Sequence, residues 1–212
     1  GQVSFVAGTD HGDPVVAYTI EARTDRQPQW KSVAENITLP YSPTGEYVVS
    51  VHGLAAWSAY TFRVRAANWF GYGDPSQASD SCNTNQDRPG AAPQNVSGGG
   101  GKIGDLRITW SPLPVEHWNG QDLKYLVYFR KVGVQTAWEV REVPFDQSLY
   151  VEYINNVAPY VPFEVQVSAR NVIGEGPRSN ISVVYTAEGS KCWPPATTLL
   201  YSFENFVFCC YR

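Results

Sequence analysis

The sequence contains no methionine, few cysteines and no cluster of basic residues. Only 4 of its 212 residues are cysteine, and none of them forms the Cys-x-x-Cys spacing of zinc or redox sites. No two of its three histidines, His11, His52 and His117, have the spacing of metal ligands. A formal net charge of −4 with no basic patch excludes an obvious nucleic-acid surface. We therefore expect no metal, no other cofactor and no nucleic-acid partner.

The sequence also lacks the residue patterns that are typical of catalytic sites. The carboxylates are scattered over turns and outward strand positions, and no pair is placed as acid–base catalysis requires. The glycine-rich segment 97–102 lacks the spacing of a phosphate-binding loop, and no helix is predicted to follow it. Tyr72-Gly-Asp74 lacks the arginine of an integrin-binding tripeptide. The sequence thus predicts a non-enzymatic protein without a small-molecule substrate, which acts through its surface.

A strand pattern is present, and it occurs twice. Residues 60–68 place Tyr60, Phe62 and Val64 on one face and arginines on the other, as in a strand with one buried face. The same pattern returns at 163–171, 103 positions later, and each copy is followed by a glycine-rich turn. Such self-similarity is the signature of a repeated unit. It predicts two domains.

The repeat extends backwards through the chain. The segment 18–23 matches 125–130, and Trp30 matches Trp138. A unit of about one hundred residues, read as seven short strands between Gly, Pro and Asn turns, is typical of a β-sandwich. We therefore expect an all-β chain with domains at 1–87 and 88–189. The segment 190–212 is predicted to be an atypical, unstructured tail that contains Cys192, Cys209 and Cys210.

Several of these residues resemble landmarks of fibronectin type III domains. They are a tryptophan in strand B at Trp110, one in strand C′ at Trp30 and Trp138, and the Asn-x-x-Gly-x-Gly turns after strand F. The resemblance implies two such sandwiches in tandem. Nothing before Val3 and Phe5 can serve as strand A, so the first sandwich is predicted to lack its N-terminal strand.

Residues 9–188, roughly, are similar to the contactin family of neural and junctional adhesion proteins. The similarity lies in Asn-Val-Ser-Gly-Gly-Gly-Gly at 95–101, Ile-Thr-Trp-Ser-Pro at 108–112, Asn-Gly at 119–120 and Phe-Arg at 129–130. Neuroglian-type adhesion molecules share most of these landmarks. The resemblance implies an extracellular, cell-surface adhesion module that binds other immunoglobulin-superfamily or neurexin-type receptors. Membrane attachment would require parts of a full-length protein outside this sequence.

Two other functions compete with adhesion. A ligand-binding pair of a cytokine-receptor-like ectodomain would need a Trp-Ser-x-Trp-Ser motif and paired cysteines, and the sequence has neither. An accessory module of an extracellular enzyme would be distinguished by a hydrolase or phosphatase domain in the full-length sequence. Because one fold serves many functions, the β-sandwich alone does not decide among the three.

Three Asn-x-Ser/Thr tripeptides begin at Asn36, Asn95 and Asn180 and are predicted to carry glycans. Cys82 stands at the end of strand G and is predicted to be unpaired, with a partner expected on the absent strand A. Tyr60, six residues after Leu54, has the spacing of a tyrosine corner, whereas Phe163 holds the equivalent place without a hydroxyl.

Exposed aromatic and apolar residues supply the candidate protein contacts, because aromatic side chains are enriched in binding anchors. The loops at the junction of the domains carry Trp57, Trp118 and Ile173. The loop after the first strand F carries Trp69, Phe70 and Tyr72, which would contact a preceding domain or a partner. An outer-face partner contact is predicted on strand C of the second domain, at Leu126 and Tyr128.

Overall fold

The computed structural model describes residues 1–10, 12–154 and 158–187, which form two compact units. The first unit consists of 1–90 with the loop segments 114–123 and 170–175. The second consists of 91–113, 124–169 and the described residues from 176 onwards. The predicted tail 190–212 and His11 lie outside the described residues. The boundary at 87/88 stays a prediction.

The first sandwich contains seven strands. Its smaller sheet pairs β1 with β4 antiparallel, and its larger sheet has the order β3-β2-β5-β6, with β7 also on β5. In the described part of the chain, the other edge of β1 has no partner strand. The lack of strand A stays a prediction. The strands are β1 (Gln2–Val6), β2 (Ala17–Thr24), β3 (Lys31–Ile37), β4 (Glu46–Ser50), β5 (Ala59–Asn68), β6 (Gly71–Tyr72) and β7 (Cys82–Asn83).

The second sandwich contains eight strands and one short 3-10 turn, Val115–His117. One sheet has the order β12-β9-β8, and the other has the order β11-β10-β13-β14, with β15 also on β13. The strands are β8 (Gln94–Gly98), β9 (Asp105–Ser111), β10 (Lys124–Lys131), β11 (Glu139–Pro144), β12 (Leu149–Tyr153), β13 (Pro162–Arg170), β14 (Glu175–Arg178) and β15 (Ser182–Tyr185).

Alternating side chains place a hydrophobic core inside each sandwich. In the first, Ile20 and Ala22 of β2 face Val49, Val51 and Phe62. In the second, Trp110 packs edge-on against Tyr125, with ring centroids 5.3 Å apart, and the Tyr125 hydroxyl accepts a hydrogen bond from the Leu113 N–H at 2.8 Å. Burying each large side chain contributes about 1.5–3 kcal/mol, so these residues fix which face of every strand points inward.

The tyrosine corner of the first sandwich is confirmed. The Tyr60 hydroxyl accepts a hydrogen bond from the Ala55 N–H at 2.9 Å. Thr84 fastens the same corner, because its Oγ1 accepts from the Ser58 N–H at 3.0 Å and donates to the Ala55 carbonyl at 2.8 Å. The corner is therefore held by two side chains, of which the sequence pattern indicated only the tyrosine.

In the second sandwich, a threonine holds the corner without the tyrosine. Thr186 Oγ1 accepts from the Val161 N–H at 3.0 Å and donates to the Ala158 carbonyl at 3.2 Å. Thr186 is 98% buried and repeats the contacts of Thr84. The second corner therefore keeps the threonine contacts, while Phe163 has no hydroxyl to make the bond that Tyr60 makes in the first.

Candidate interaction surfaces

The three sequon asparagines all lie on the surface. Asn36, Asn95 and Asn180 are exposed, and Asn36 and Asn95 have left-handed backbone, with φ of 53° and 54°. Asn95 Nδ2 donates to Ser111 Oγ at 3.0 Å, which uses one of its two hydrogens. A bulky polar glycan therefore fits at each position without disturbing either core.

We expect these asparagines to be modified when the chain is made in a secretory host. Mass spectrometry after enzymatic deglycosylation should find Asn36, Asn95 and Asn180 converted to aspartate. Chains with the matching Ser or Thr changed to alanine supply the control for each site. Unmodified asparagine at all three positions would contradict the prediction.

The loop after β5 presents three exposed aromatic side chains. Trp69 and Phe70 are 86% and 85% exposed, and Tyr72 is 53% exposed. Asn68 holds the turn, because its Oδ1 accepts hydrogen bonds from the N–H groups of Phe70 and Gly71 at 2.9 and 3.2 Å. The Arg65 guanidinium lies over the Tyr72 ring, 5.1 Å from its centroid. This loop is thus an ordered aromatic projection.

Asn171 repeats this turn in the second domain and adds contacts to the connector. Its Oδ1 accepts from the N–H groups of Ile173 and Gly174 at 2.9 and 3.2 Å. Its Nδ2 donates to the carbonyls of Asp87 and Trp118 at 2.6 and 3.0 Å. Asn171 is 96% buried, and every polar atom of its amide is used. One side chain therefore joins two loops to the connector.

Further hydrogen bonds hold connector residues 86–90 against the same loops. The N–H groups of Asp87 and Gly90 donate to the carbonyls of Asn119 and His117, both at 2.8 Å. Asn119 Nδ2 donates to the Arg88 carbonyl at 3.0 Å, and Gln86 Oε1 accepts from the Gln121 N–H at 2.9 Å. A Cβ on Gly120 would lie 2.5 Å from Asn171 Nδ2, so a side chain at this position would break the arrangement.

The three candidate junction residues, Trp57, Trp118 and Ile173, differ in burial and in their contacts. Trp57 is half-buried with a φ of 49°, its N–H donates to the Asn85 carbonyl at 2.9 Å, and the Arg26 guanidinium lies 5.6 Å from its ring centroid. Trp118 is half-buried and Ile173 is exposed. Asn171 brings the Trp118 and Ile173 loops together. Their role between domains stays a prediction.

Arginine and aromatic side chains cover the outer face of the large sheet of the first domain. The guanidinium groups of Arg23 and Arg63 lie 4.8 and 4.4 Å from the ring centroid of Trp30. Arg63 Nε also pairs with Glu21 Oε2 at 2.5 Å. With Arg65 over Tyr72, three guanidinium groups and one carboxylate share this surface. We call Arg23, Trp30, Arg63, Arg65 and Tyr72 the arginine–aromatic face.

The second domain has a smaller version of this arrangement. Arg130 lies 4.5 Å from the ring centroid of Trp138, and its Nε pairs with Glu164 Oε2 at 2.6 Å. In the second domain the arginine is on β10 and the glutamate on β13. In the first domain the order is reversed, with the glutamate on β2 and the arginine on β5. The match between Trp30 and Trp138 seen in the sequence therefore corresponds to a shared cation–π contact, worth about 0.5–1 kcal/mol at an exposed site.

We expected Leu126 and Tyr128 to be exposed on the outer face of their sheet, and this expectation is wrong. These side chains are only 6% and 4% exposed. The Arg178 guanidinium of β14 lies 3.8 Å from the ring centroid of Tyr128 and covers it. Strand β10 is consequently buried from Tyr125 to Phe129, on both faces. A partner could not reach Leu126 or Tyr128 without displacing the groups that cover them.

A tyrosine–glutamate–arginine cluster joins β12 of the smaller sheet to β11 of the larger sheet in the second domain. The Tyr150 hydroxyl donates a short hydrogen bond to the Glu152 carboxylate, and Arg141 Nη2 pairs with Glu152 at 3.2 Å. Burial, followed by the bond to Glu152, raises the pKa of Tyr150 from 10.0 to about 12. The Arg141 guanidinium opposes this shift more weakly. We assign this cluster a structural role.

This raised pKa predicts a loss of stability at alkaline pH. The folded chain binds the Tyr150 proton more tightly than the unfolded chain does, so the stabilising contribution is complete below about pH 10. It is lost as the pH rises from about 10 towards 12. Thermal unfolding across this window should be less pH-dependent for Tyr150→Phe than for the wild type. Tyr153→Phe, an exposed change on the same strand, should leave the pH dependence unaltered.

Neither metal-binding nor membrane-spanning features occur in the described part of the chain. No group of three His, Cys, Asp or Glu side chains there could hold a metal ion. No helix among the described residues is long and apolar enough to cross a bilayer. Cys82 is exposed and free within this part. Its predicted pairing with a strand A cysteine stays a prediction.

Comparison with known proteins agrees with this architecture. Contactin-2 of Mus musculus is 39% identical over 197 residues, which are 92% of this chain and 19% of the relative. Contactin-4 of Homo sapiens is 40% identical over 204 residues, covering 96% of this chain and 20% of the relative. The crystal structure of chicken CNTN1 FN1-FN3 domains has a TM-score of 0.76 at 31% identity, covering 89% of this chain and 62% of that one.

The chain spans about a fifth of the length of the curated relatives it matches. These relatives are non-enzymatic adhesion proteins of the cell surface, and by this likeness the chain is an extracellular, non-enzymatic module. The model of the fibronectin type III domain matches residues 2–81 and 91–185. The chain therefore belongs to the fibronectin type III family, as two tandem domains similar to those of contactins.

Proposed function

We propose that this chain is a spacer and protein-interaction module of a contactin-like adhesion receptor, with immunoglobulin-superfamily or neurexin-type receptors as its partners. The observation that carries the proposal is the arginine–aromatic face. Tryptophan, tyrosine and arginine are the residues most enriched among binding hot spots. Here all three types lie together on one sheet of the first domain, already ordered by contacts with each other.

The chemistry of this face favours a partner with acidic groups. The guanidinium carbons of Arg23, Arg63 and Arg65 lie 4.4–5.1 Å from ring centroids, and the N–H groups of arginine bind carboxylates well. Glu21 occupies Arg63 Nε, and Arg65 donates to the Gly73 carbonyl at 3.3 Å through both Nε and Nη2. Three positive charges face one negative charge, so the surface keeps an excess of positive charge within a domain that is acidic overall.

Pre-ordering of these side chains lowers the entropy cost of binding. Immobilising a long side chain at an interface costs about 0.5–1.5 kcal/mol. Because Arg23, Arg63 and Arg65 already lie against rings in the free chain, part of this cost is met before a partner arrives. The exposed Trp69 and Phe70 adjoin this face through Tyr72 and would extend the same contact.

Charge reversal on this face should weaken partner binding. In surface plasmon resonance with purified immunoglobulin-superfamily and neurexin-type ectodomains, the double change Arg23→Glu and Arg65→Glu should reduce affinity by about tenfold or more, as expected for like charges at an interface. Arg107→Glu is the matched control, because Arg107 is exposed and lies on the smaller sheet of the second domain. Equal binding by both variants would exclude this face as the contact surface.

A further inference from the structure

The first domain has a cleft between two of its loops that corresponds to the place where the second domain holds its connector. The cleft has a volume of about 290 Å³ and is lined by Asp10 and Asp13 on one side and by Asn68, Phe70 and Tyr72 on the other. In the second domain, the Asn171 loop and the loop containing Trp118 hold residues 86–90 by hydrogen bonds.

The two asparagines make the same turn, but only one of them completes its hydrogen bonds. Asn68 and Asn171 each accept two backbone N–H groups through Oδ1, which fixes the orientation of both amides. Asn171 Nδ2 donates to two carbonyls, one of them on the connector. Among the described residues, Asn68 Nδ2 has no recorded acceptor. The donor that grips the connector in the second domain is thus available in the first.

The glycine three positions after each asparagine shows the same difference. A Cβ on Gly174 would lie 2.9 Å from Arg88 Nε, so the connector arginine packs directly on this glycine. A Cβ on Gly71 would meet nothing within 4 Å. Both glycines have positive φ, 153° and 137°. Gly71 therefore offers the surface that Arg88 covers at Gly174, and the carboxylates of Asp10 and Asp13 line the same cleft.

We propose that this cleft binds an interdomain connector that precedes the first domain within the same polypeptide, in the way that residues 86–90 bind the second domain. The connector gives a backbone carbonyl to Asn68 Nδ2 and places a cationic side chain over Gly71, near Asp10 and Asp13. The inference rests on the spacer part of the proposed function. It assigns Asn68 the role of joining successive domains. Of the arginine–aromatic face only Tyr72 borders the cleft, and Arg23, Trp30 and Arg63 do not line it.

The chain itself supplies a probe for this site. The Gly1 carbonyl accepts a hydrogen bond from the Val51 N–H, as the Gly104 carbonyl does from the Ile154 N–H, both at 2.8 Å. Gly1 therefore corresponds to Gly104, so residues 84–103 can be placed ahead of Gly1 to provide both a strand A and a connector. In this grafted chain, nuclear magnetic resonance should show the Asn68 side-chain amide protons exchanging about tenfold more slowly, or more so, than in the ungrafted chain.

The isosteric change Asn68→Asp removes the Nδ2 donor and keeps the turn acceptor. We expect it to leave the melting temperature of the ungrafted chain within a few degrees and to lower that of the grafted chain clearly. A folded graft with unchanged Asn68 exchange and no added sensitivity to Asn68→Asp would overturn the proposal. Failure of this test would leave the receptor-binding assay with Arg23 and Arg65 variants unaffected, so the two ideas are separable.

A second measurement applies if the graft does not fold. A free peptide with the sequence of residues 84–91 should shift the Gly71 and Tyr72 amide resonances of the ungrafted chain in a saturable way at millimolar concentration. The same peptide with Arg88→Glu should shift them less, because it brings a carboxylate towards Asp10 and Asp13. Absence of any shift with the wild-type peptide would then refute the connector site.

Discussion

Replacing Asn171 by aspartate is expected to destabilise the chain by about 3 kcal/mol. The change keeps the Oδ acceptor of the turn and replaces Nδ2, so a carboxylate oxygen then faces the carbonyls of Asp87 and Trp118. Each buried polar group left unsatisfied costs about 1–3 kcal/mol, and here the site is 96% buried. The expected fall in melting temperature exceeds about 10 °C.

Calorimetry and hydrogen exchange test this expectation together. The Asp87 and Gly90 amides, which donate to the loop containing Asn119, should lose protection in Asn171→Asp. Asn68→Asp is the matched control, because it makes the same chemical change in the same turn with no recorded acceptor for Nδ2 among the described residues. Similar losses of stability for both variants would show that the turn, and not the connector, is what Asn171 stabilises.

Truncation of Phe129 should have an effect of comparable or greater size. Phe129 is 99% buried on β10, with its ring centroid 6.5 Å from that of Tyr150 and the Arg141 guanidinium 5.5 Å from its own. Phe→Ala changes in a packed core cost about 3–5 kcal/mol through lost burial and the cavity left behind. Urea unfolding followed by circular dichroism should show this loss in the transition of the second domain.

Phe70→Ala is the control for this experiment. It removes the same atoms from a side chain that is 85% exposed, and surface changes of this kind usually alter stability by less than about 0.5 kcal/mol. A small effect at Phe129, or a large one at Phe70, would contradict the burial pattern described for the two domains.

Much of the fold was predictable because strand alternation is a local property of sequence. The face of β5 that carries Tyr60 and Phe62 is inward because its residues alternate, and the repeat at β13 follows the same rule. The repeat also identified Trp30 and Trp138 as equivalent positions in the two domains. Their stacked arginines could not be identified, because Arg63 comes from a strand that lies more than thirty residues away in sequence.

Alternation failed where another segment covers the outer face of a sheet. It placed Leu126 and Tyr128 outward, yet both are buried, since Arg178 reaches over Tyr128 from a strand fifty positions later. Period two indicates which side of the sheet a residue is on and says nothing about what lies above it. A strand that is apolar on both faces, as 125–129 is, was the available signal.

The turn motif containing Asn171 was visible in the sequence, but its role was not. An asparagine before glycines indicates a turn because its side chain bonds to its own backbone. Where the remaining Nδ2 donor points depends on the path of residues 86–90, which contain no regular element. The corner contacts of Thr84 and Thr186 were also missed, because each residue lies just beyond the last strand of its domain, where strand alternation no longer applies.

The hydrogen-bonded connector has a mechanical consequence when the chain is pulled from its ends. A pulling force that enters the second domain along the chain reaches residues 86–90 before it reaches β8. Because five hydrogen bonds join this segment to the loops around Asn119 and Asn171, we expect the force to be shared among them and not to be concentrated on the β8–β9 pairing. The first strand of the domain is then shielded from being peeled away, one hydrogen bond at a time, when the chain is under tension.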